Sequence, residues 1–174
     1  MRGVFTRLLL AASLLSAAPA LADCKTRPKP VRDYMKTRPS WVVVTESHLS
    51  DADRAAWKRE HKAACPGIAV VDLDGSGQKS YALAVLNRVK GERYERLILL
   101  QASGKKLLPK TLVPAFPQGD PIVVWRSRAR AVRAYGSRQR IPLPAESIRF
   151  EKLGMSSKVF YLENGKIETV LVEN

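Results

Sequence analysis

From residue 68 onward the chain is a succession of short apolar and β-branched runs separated by turn signals, and none of the intervals between them has a helical period. The runs are Ile68–Leu73, Tyr81–Asn87, Tyr94–Gln101, Ile122–Arg128, Ala131–Tyr135, Ser147–Lys152, Val159–Leu162 and Ile167–Val172. Parallel neighbours would need crossover connections of a dozen or more residues, usually helical, so this spacing predicts an antiparallel sheet. The last two runs are joined by Glu163-Asn164-Gly165-Lys166. Asn-Gly adopts the positive φ angles of a type I′ turn at little cost, which predicts a tight hairpin there. Pro109, Pro114, Pro117 and Pro121 exclude residues 109–121 from a central strand, and the segment reads as a loop or covering strap.

Upstream, Trp41-Val42-Val43-Val44-Thr45 is a further β-branched run and reads as the first strand. Ser50-Asp51-Ala52-Asp53 opens a helix, with Ser50 as N-cap and two acids in the first turn, and Cys65-Pro66-Gly67 closes it. The predicted helix covers about 51–64 and has a narrow apolar stripe of alanines plus Trp57. Residues 23–40, with Pro28, Pro30 and Pro39, read as an irregular lead-in. The expected fold class is α+β: a twisted antiparallel sheet, one clear helix and a disulfide at the N-terminal end.

The first residues define a compartment. Arg2 and Arg7 flank a cationic head, an apolar run extends from Leu8 to Ala18, and Pro19-Ala20-Leu21-Ala22 precedes the polar Asp23. This is the pattern of a secretory leader of residues 1–22, cleaved after Ala22. The apolar run is too short for a membrane anchor, which needs about 20 residues. Asp23 also stands where a lipoprotein signal places a small residue before its cysteine. Of the 174 residues, 152 remain, the size of a single domain over 23–174. Arg2 and Arg7 leave with the leader, which takes the formal net charge from +14 to +12. The two cysteines, Cys24 and Cys65, would meet an oxidising compartment and form a disulfide. The location is therefore read as periplasmic or secreted, with no stable membrane anchor.

Little in the chain supports catalysis. His48 and His61 are the only histidines, no nucleophile motif accompanies either, and a hydrolase using one of them is the weakest of three functional readings. The most specific local pattern is Asp72-Leu73-Asp74-Gly75-Ser76-Gly77-Gln78-Lys79-Ser80. Oxygen side chains at the alternate positions Asp72, Asp74 and Ser76, with a glycine following, are what a calcium loop uses. The same residues also suit a polar hairpin turn. The flanks read as strands and Leu83 occupies the position of an EF-hand's bidentate glutamate, which excludes that motif. The loop resembles the Asp-rich calcium hairpin of FG-GAP and VCBS repeats, in which the ninth position is usually aspartate and here is Ser80. Together with the leader, the disulfide and the small β-rich body, it is similar to small periplasmic inhibitor and immunity proteins. That resemblance implies a non-enzymatic protein that protects against a cell-wall-degrading enzyme, with no cofactor beyond a weakly held calcium.

The other marked feature is cationic. Arg126, Arg128, Arg130, Arg133, Arg138 and Arg140 fall within a segment that contains no acid. Were Val124–Arg130 extended, Arg126, Arg128 and Arg130 would share one face. Tyr135-Gly136-Ser137-Arg138 is a tight turn that could project Tyr135, Ser137 and Arg138 from the end of two strands. The expected function is a periplasmic binding protein, an inhibitor or immunity protein whose target is a protein in the cell envelope. The alternative is a binder of anionic envelope polymer, such as lipopolysaccharide or acidic glycan, through the arginine ribbon. Export argues against nucleic acid as a partner.

Overall fold

The computed structural model describes residues 24–89, 91–117, 119, 121–155 and 157–173. The leader assigned to residues 1–22 and its cleavage point lie outside the described residues. In chain order the elements are α1 (Lys29–Lys36), β1 (Val42–Val43), a 3-10 turn (Glu46–His48), α2 (Asp51–His61), β2 (Ile68–Val71), β3 (Ser80–Val89), β4 (Glu92–Ser103), β5 (Lys106–Pro117), β6 (Val123–Ser127), β7 (Ala131–Arg133), β8 (Arg140–Pro142), β9 (Ser147–Glu151), β10 (Ser157–Glu163) and β11 (Lys166–Val172).

All strand pairs are antiparallel. The first sheet runs β1-β3-β4-β5, and β2 also pairs with β3; the second runs β11-β10-β9-β6, and β7 and β8 form a separate two-stranded ribbon. β1 and β2 share one edge of β3 end to end, β2 alongside residues 80–83 and β1 alongside 85–86. The handover occurs at Ala84, whose N–H donates to Gly67 O and whose carbonyl accepts from Val44 N. The chains meet so closely that a Cβ on residue 67 would lie 2.4 Å from Val44 O, which restricts that position to glycine.

The two sheets enclose a common core. Ala82, Ala84, Leu86, Leu97 and Leu99 of the first face Val123, Val124, Ile148, Phe150 and Phe160 of the second, and Trp57 of α2 closes one side. A backbone bond from Val124 N to Pro66 O, 2.7 Å, joins the sheets where β6 meets the start of β2. The opposite face of the first sheet, with Val43, Leu83, Val85, Ile98 and Leu100, is buried under α1 through Val31. Burial on both faces explains why residues 97–100 are apolar without alternation. The outer face of the second sheet is covered in part by the β7–β8 ribbon, through Val132 and Leu143 against Val159, Tyr161 and Val172.

The antiparallel sheets and the Cys24–Cys65 disulfide accord with the sequence reading. Among the described residues α-helix is confined to α1 and α2, so the architecture leans further toward all-β than an α+β description does. The lead-in is not irregular. It forms α1, because Pro30 lies in the first turn, where a missing N–H costs nothing, and Lys29 and Lys36 both pair with Asp33. The segment expected to be a loop or strap contributes most of β5, and the prolines place it at the sheet edge, with a bulge where Glu95 and Leu97 meet it. The helix ends earlier than expected, at His61, where Lys62 turns to φ +53°. The final hairpin forms as predicted: Glu163 pairs with Lys166, and Asn164 and Gly165 have φ of 49° and 76°.

Candidate functional site

The Asp-rich loop connects β2 to β3, and one oxygen of each of Asp72, Asp74 and Ser76 is engaged within the loop. Asp72 Oδ2 accepts from Gly77 N at 2.8 Å, Asp74 Oδ1 from Ser76 N at 3.0 Å and Ser76 Oγ from Gln78 N at 3.3 Å. Gly75 and Gly77 supply the positive φ angles, 73° and 86°, that the winding requires. The hydrogen bonds from Ser76 hold the Asp74 carboxyl below its ordinary range. Ser80, at the ninth position, is buried, and its Oγ accepts from Ala102 N at 2.9 Å, so it serves the β3–β4 pairing and not the loop interior. Among the described residues no group of three or more His, Cys, Asp or Glu side chains is gathered to hold a metal ion. Each of the three side chains gives one oxygen to a backbone N–H, while Asp72 Oδ1 is buried without a hydrogen-bond partner among the described residues.

These contacts make the loop a turn stabilised by its own side chains. If the loop serves only as this turn, calcium at millimolar concentration gives no heat on titration. Asp72→Ala, which strips the acceptor from Gly77 N, should cost roughly 1–2 kcal/mol with or without the ion. A midpoint of unfolding that rises with calcium in the wild type and not in Asp72→Ala would restore the metal reading.

Glu146, which the sequence reading did not single out, ties this loop to the arginine segment. Its Oε2 accepts from Asp72 N at 2.8 Å and its Oε1 from the Arg126 guanidinium at 2.9 Å. Both partners in the ion pair are largely buried, so Arg126 is fixed inward. The ribbon expected over residues 126–130 is thereby divided: β6 ends at Ser127, and Arg128 and Arg130 lie in the connection to β7, exposed. A single face shared by Arg126, Arg128 and Arg130 does not form, because the strand period stops before Arg128.

The remaining arginines gather around the ribbon. Arg133 and Arg140 are direct cross-strand partners, both exposed, and Arg138 lies in the turn between them. Tyr135 is 56% exposed. The turn is fastened to the body: Tyr135 N donates to Leu171 O at 2.8 Å, Gly136 N to the Glu173 carboxylate, and Ser137 Oγ accepts from Gln139 N at 3.0 Å. Arg128, Arg130, Arg133, Arg138 and Arg140 form no salt bridge among the described residues. Adjacent like charges destabilise a ribbon, so such a cluster costs folding energy that a bound anion would recover.

Both histidines make local structural contacts. The His48 ring accepts from Thr45 N at 3.0 Å and completes a capping box. His61 is half-buried, stacked on Trp57 at 4.0 Å between ring centres and 4.8 Å from Trp125. Burial keeps its pKa below the ordinary value. Next to it Arg149 lies over the Trp125 ring at 5.8 Å, and burial likewise lowers its pKa. Glu95 is a strongly perturbed acid: it is wholly buried, Ile122 N donates to its Oε2 at 2.8 Å, and burial pushes its pKa up to about 8. Its sequence neighbours Arg93, Tyr94 and Arg96 give no sign of this. No helix among the described residues is long and apolar enough to cross a membrane. No protein-family model, no curated protein and no solved structure matches this chain.

Proposed function

We propose that the chain is a non-enzymatic binding protein of the cell envelope, an inhibitor or immunity protein whose recognition surface is the β7–β8 ribbon and its turn. One observation carries this reading: five exposed arginines, unbridged among the described residues, lie along a ribbon and its approach, and the turn of that ribbon is held to β11 through its backbone. A turn held in place loses little conformational freedom on binding, which favours insertion into one defined cleft. Enzymes that cut polysaccharide carry catalytic carboxylates in such clefts, and a guanidinium matches a carboxylate with two hydrogen bonds. The exported location assigned to the chain suits a target of this class, and the disulfide is compatible with it.

The alternative reading, binding of an anionic envelope polymer, is favoured by the side-by-side placement of Arg133 and Arg140, which repeats charge along the ribbon. The two separate by a single series of variants, tested against the partner captured from envelope extract. For an inserted turn, Arg138→Ala should weaken binding about 30-fold or more, while Arg128→Ala and Arg130→Ala act chiefly on the association rate. For a polymer, each removal should cost a similar small factor, and moderate salt should abolish binding. Full affinity in the Arg128, Arg130 and Arg138 triple alanine variant would sink both readings. Arg126 does not belong in that variant, because its loss leaves Glu146 without its ion-pair partner.

A further inference from the structure

The two sheets meet through β6 and β2 on one side, but on the other side they part. There β5, the free edge of the first sheet, stands away from the ends of β9, β10 and β11, and a cleft of about 560 Å³ opens between them. This lies within the roughly 300–1,000 Å³ typical of small-ligand sites. Val113 and Phe116 of β5 form one wall, Phe150 and Leu171 the other, and Ile122 and Met155 complete the lining. Met155 and Leu171 are two of the few large apolar side chains left exposed, at 55% and 41%. Phe150, Lys158 and Leu171 are direct cross-strand partners and so form one row, in which the lysine stands between two apolar side chains.

The charges at this cleft are unequal. Lys152 and Lys158 line it, against one carboxylate in the lining, that of Glu151. Behind Ile122, Glu95 holds the Ile122 N–H, so that donor is not open to a polar ligand group. The result is an apolar trough that is polar and cationic only toward Lys152 and Lys158, complementary to a molecule with a hydrocarbon chain and a single anionic head.

We propose that this cleft binds a single-chain anionic amphiphile of the long-chain carboxylate class, its chain between β5 and Phe150 and its carboxylate at Lys152 and Lys158. The site is separate from the arginine ribbon and does not depend on the function assigned to it.

Dodecanoate, kept below its micelle-forming concentration, tests this by titration calorimetry on the chain as exported. It should bind one to one, and octanoate about tenfold or more weaker, since each methylene added to an apolar site strengthens binding several-fold. The Lys152→Ala/Lys158→Ala variant should lose about tenfold toward dodecanoate and be unchanged toward dodecanol, which lacks the charge. Ala115→Trp, which fills the cleft from an exposed position on β5, should abolish binding of both while leaving the thermal midpoint in place. The proposal is overturned if dodecanoate gives no saturable heat with the wild type, or if it binds the Ala115→Trp or double-lysine variant as tightly as the wild type. A dimer that Ala115→Trp disperses, with no dodecanoate bound, would assign the cleft to a second copy and overturn it equally.

Discussion

Stability should fall as pH rises from about 4.5 to 8, and Glu95→Gln should abolish that fall. The Glu95 carboxyl ordinarily releases its proton near 4.5, but in the folded chain it keeps it to about 8, chiefly because burial penalises the charged form. The bond from Ile122 N and the charge of Arg93 act in the opposite direction and are the smaller influences. Between these two values the folded state binds more protons than the unfolded state, so every unit of rising pH removes up to about 1.4 kcal/mol. Across the window the loss is on the order of 5 kcal/mol, complete above pH 8. The direction is opposite to that of a carboxylate held in a salt bridge. Denaturant unfolding at several pH values checks it, read as the difference between wild type and Glu95→Gln. In that difference the contribution of His61, whose lowered pKa makes it favour alkaline pH, cancels. The amide oxygen of glutamine can still accept from Ile122 N, and any constant penalty from its extra N–H leaves the slope untouched. Parallel curves for the two proteins would show that Glu95 is ionised and solvated in the folded chain.

Removing the Cys24–Cys65 bridge should lower stability by about 4 kcal/mol, the loop-closure entropy of a 41-residue separation. The structure shows what else is released. Cys65 is buried beside Val43 and Ile68, and the bridge fastens the segment that lays α1, through Val31, over the outer face of the first sheet. α1 is eight residues long, too short to persist alone, so it depends on this tether. In the double variant Cys24→Ala/Cys65→Ala the thermal midpoint should drop by about 10 °C, and backbone amides of 29–36 should exchange far faster than those of β3 and β4. Alanine is preferred to serine at residue 65, where a hydroxyl would be buried. A loss below about 1 kcal/mol, or unchanged protection of α1, would mean that apolar packing alone holds the helix.

The same tether explains why α1 was not legible as a helix. Pro28 and Pro30 read locally as an irregular segment although a first turn tolerates them, and only docking onto Leu83, Val85 and Ile98, far along the chain, makes the short helix persist. β5 was obscured for a related reason. Prolines exclude a central strand, which is where it does not lie, but they leave an edge strand open, and the edge is a property of the assembled sheet.

The sequence by itself determined the elements whose causes are local. Turn chemistry at Asn164-Gly165, capping at Ser50, the period of the strands and the pairing of the only two cysteines are decided within a few residues or by elimination. Tertiary structure alone decided what distant residues do to one another. Arg126 leaves the exposed ribbon because Glu146, 20 residues on, draws it inward, and the same carboxylate reaches Asp72 across 74 positions. Glu95 keeps its proton to higher pH because the sheets close over it, against the hydrogen bond that Ile122, 27 residues away, donates to its carboxyl. The cleft exists because two sheets joined along one side do not meet along the other. Burial, charge pairing and cavity shape are set by three-dimensional proximity, and the period and spacing of a chain carry no record of it.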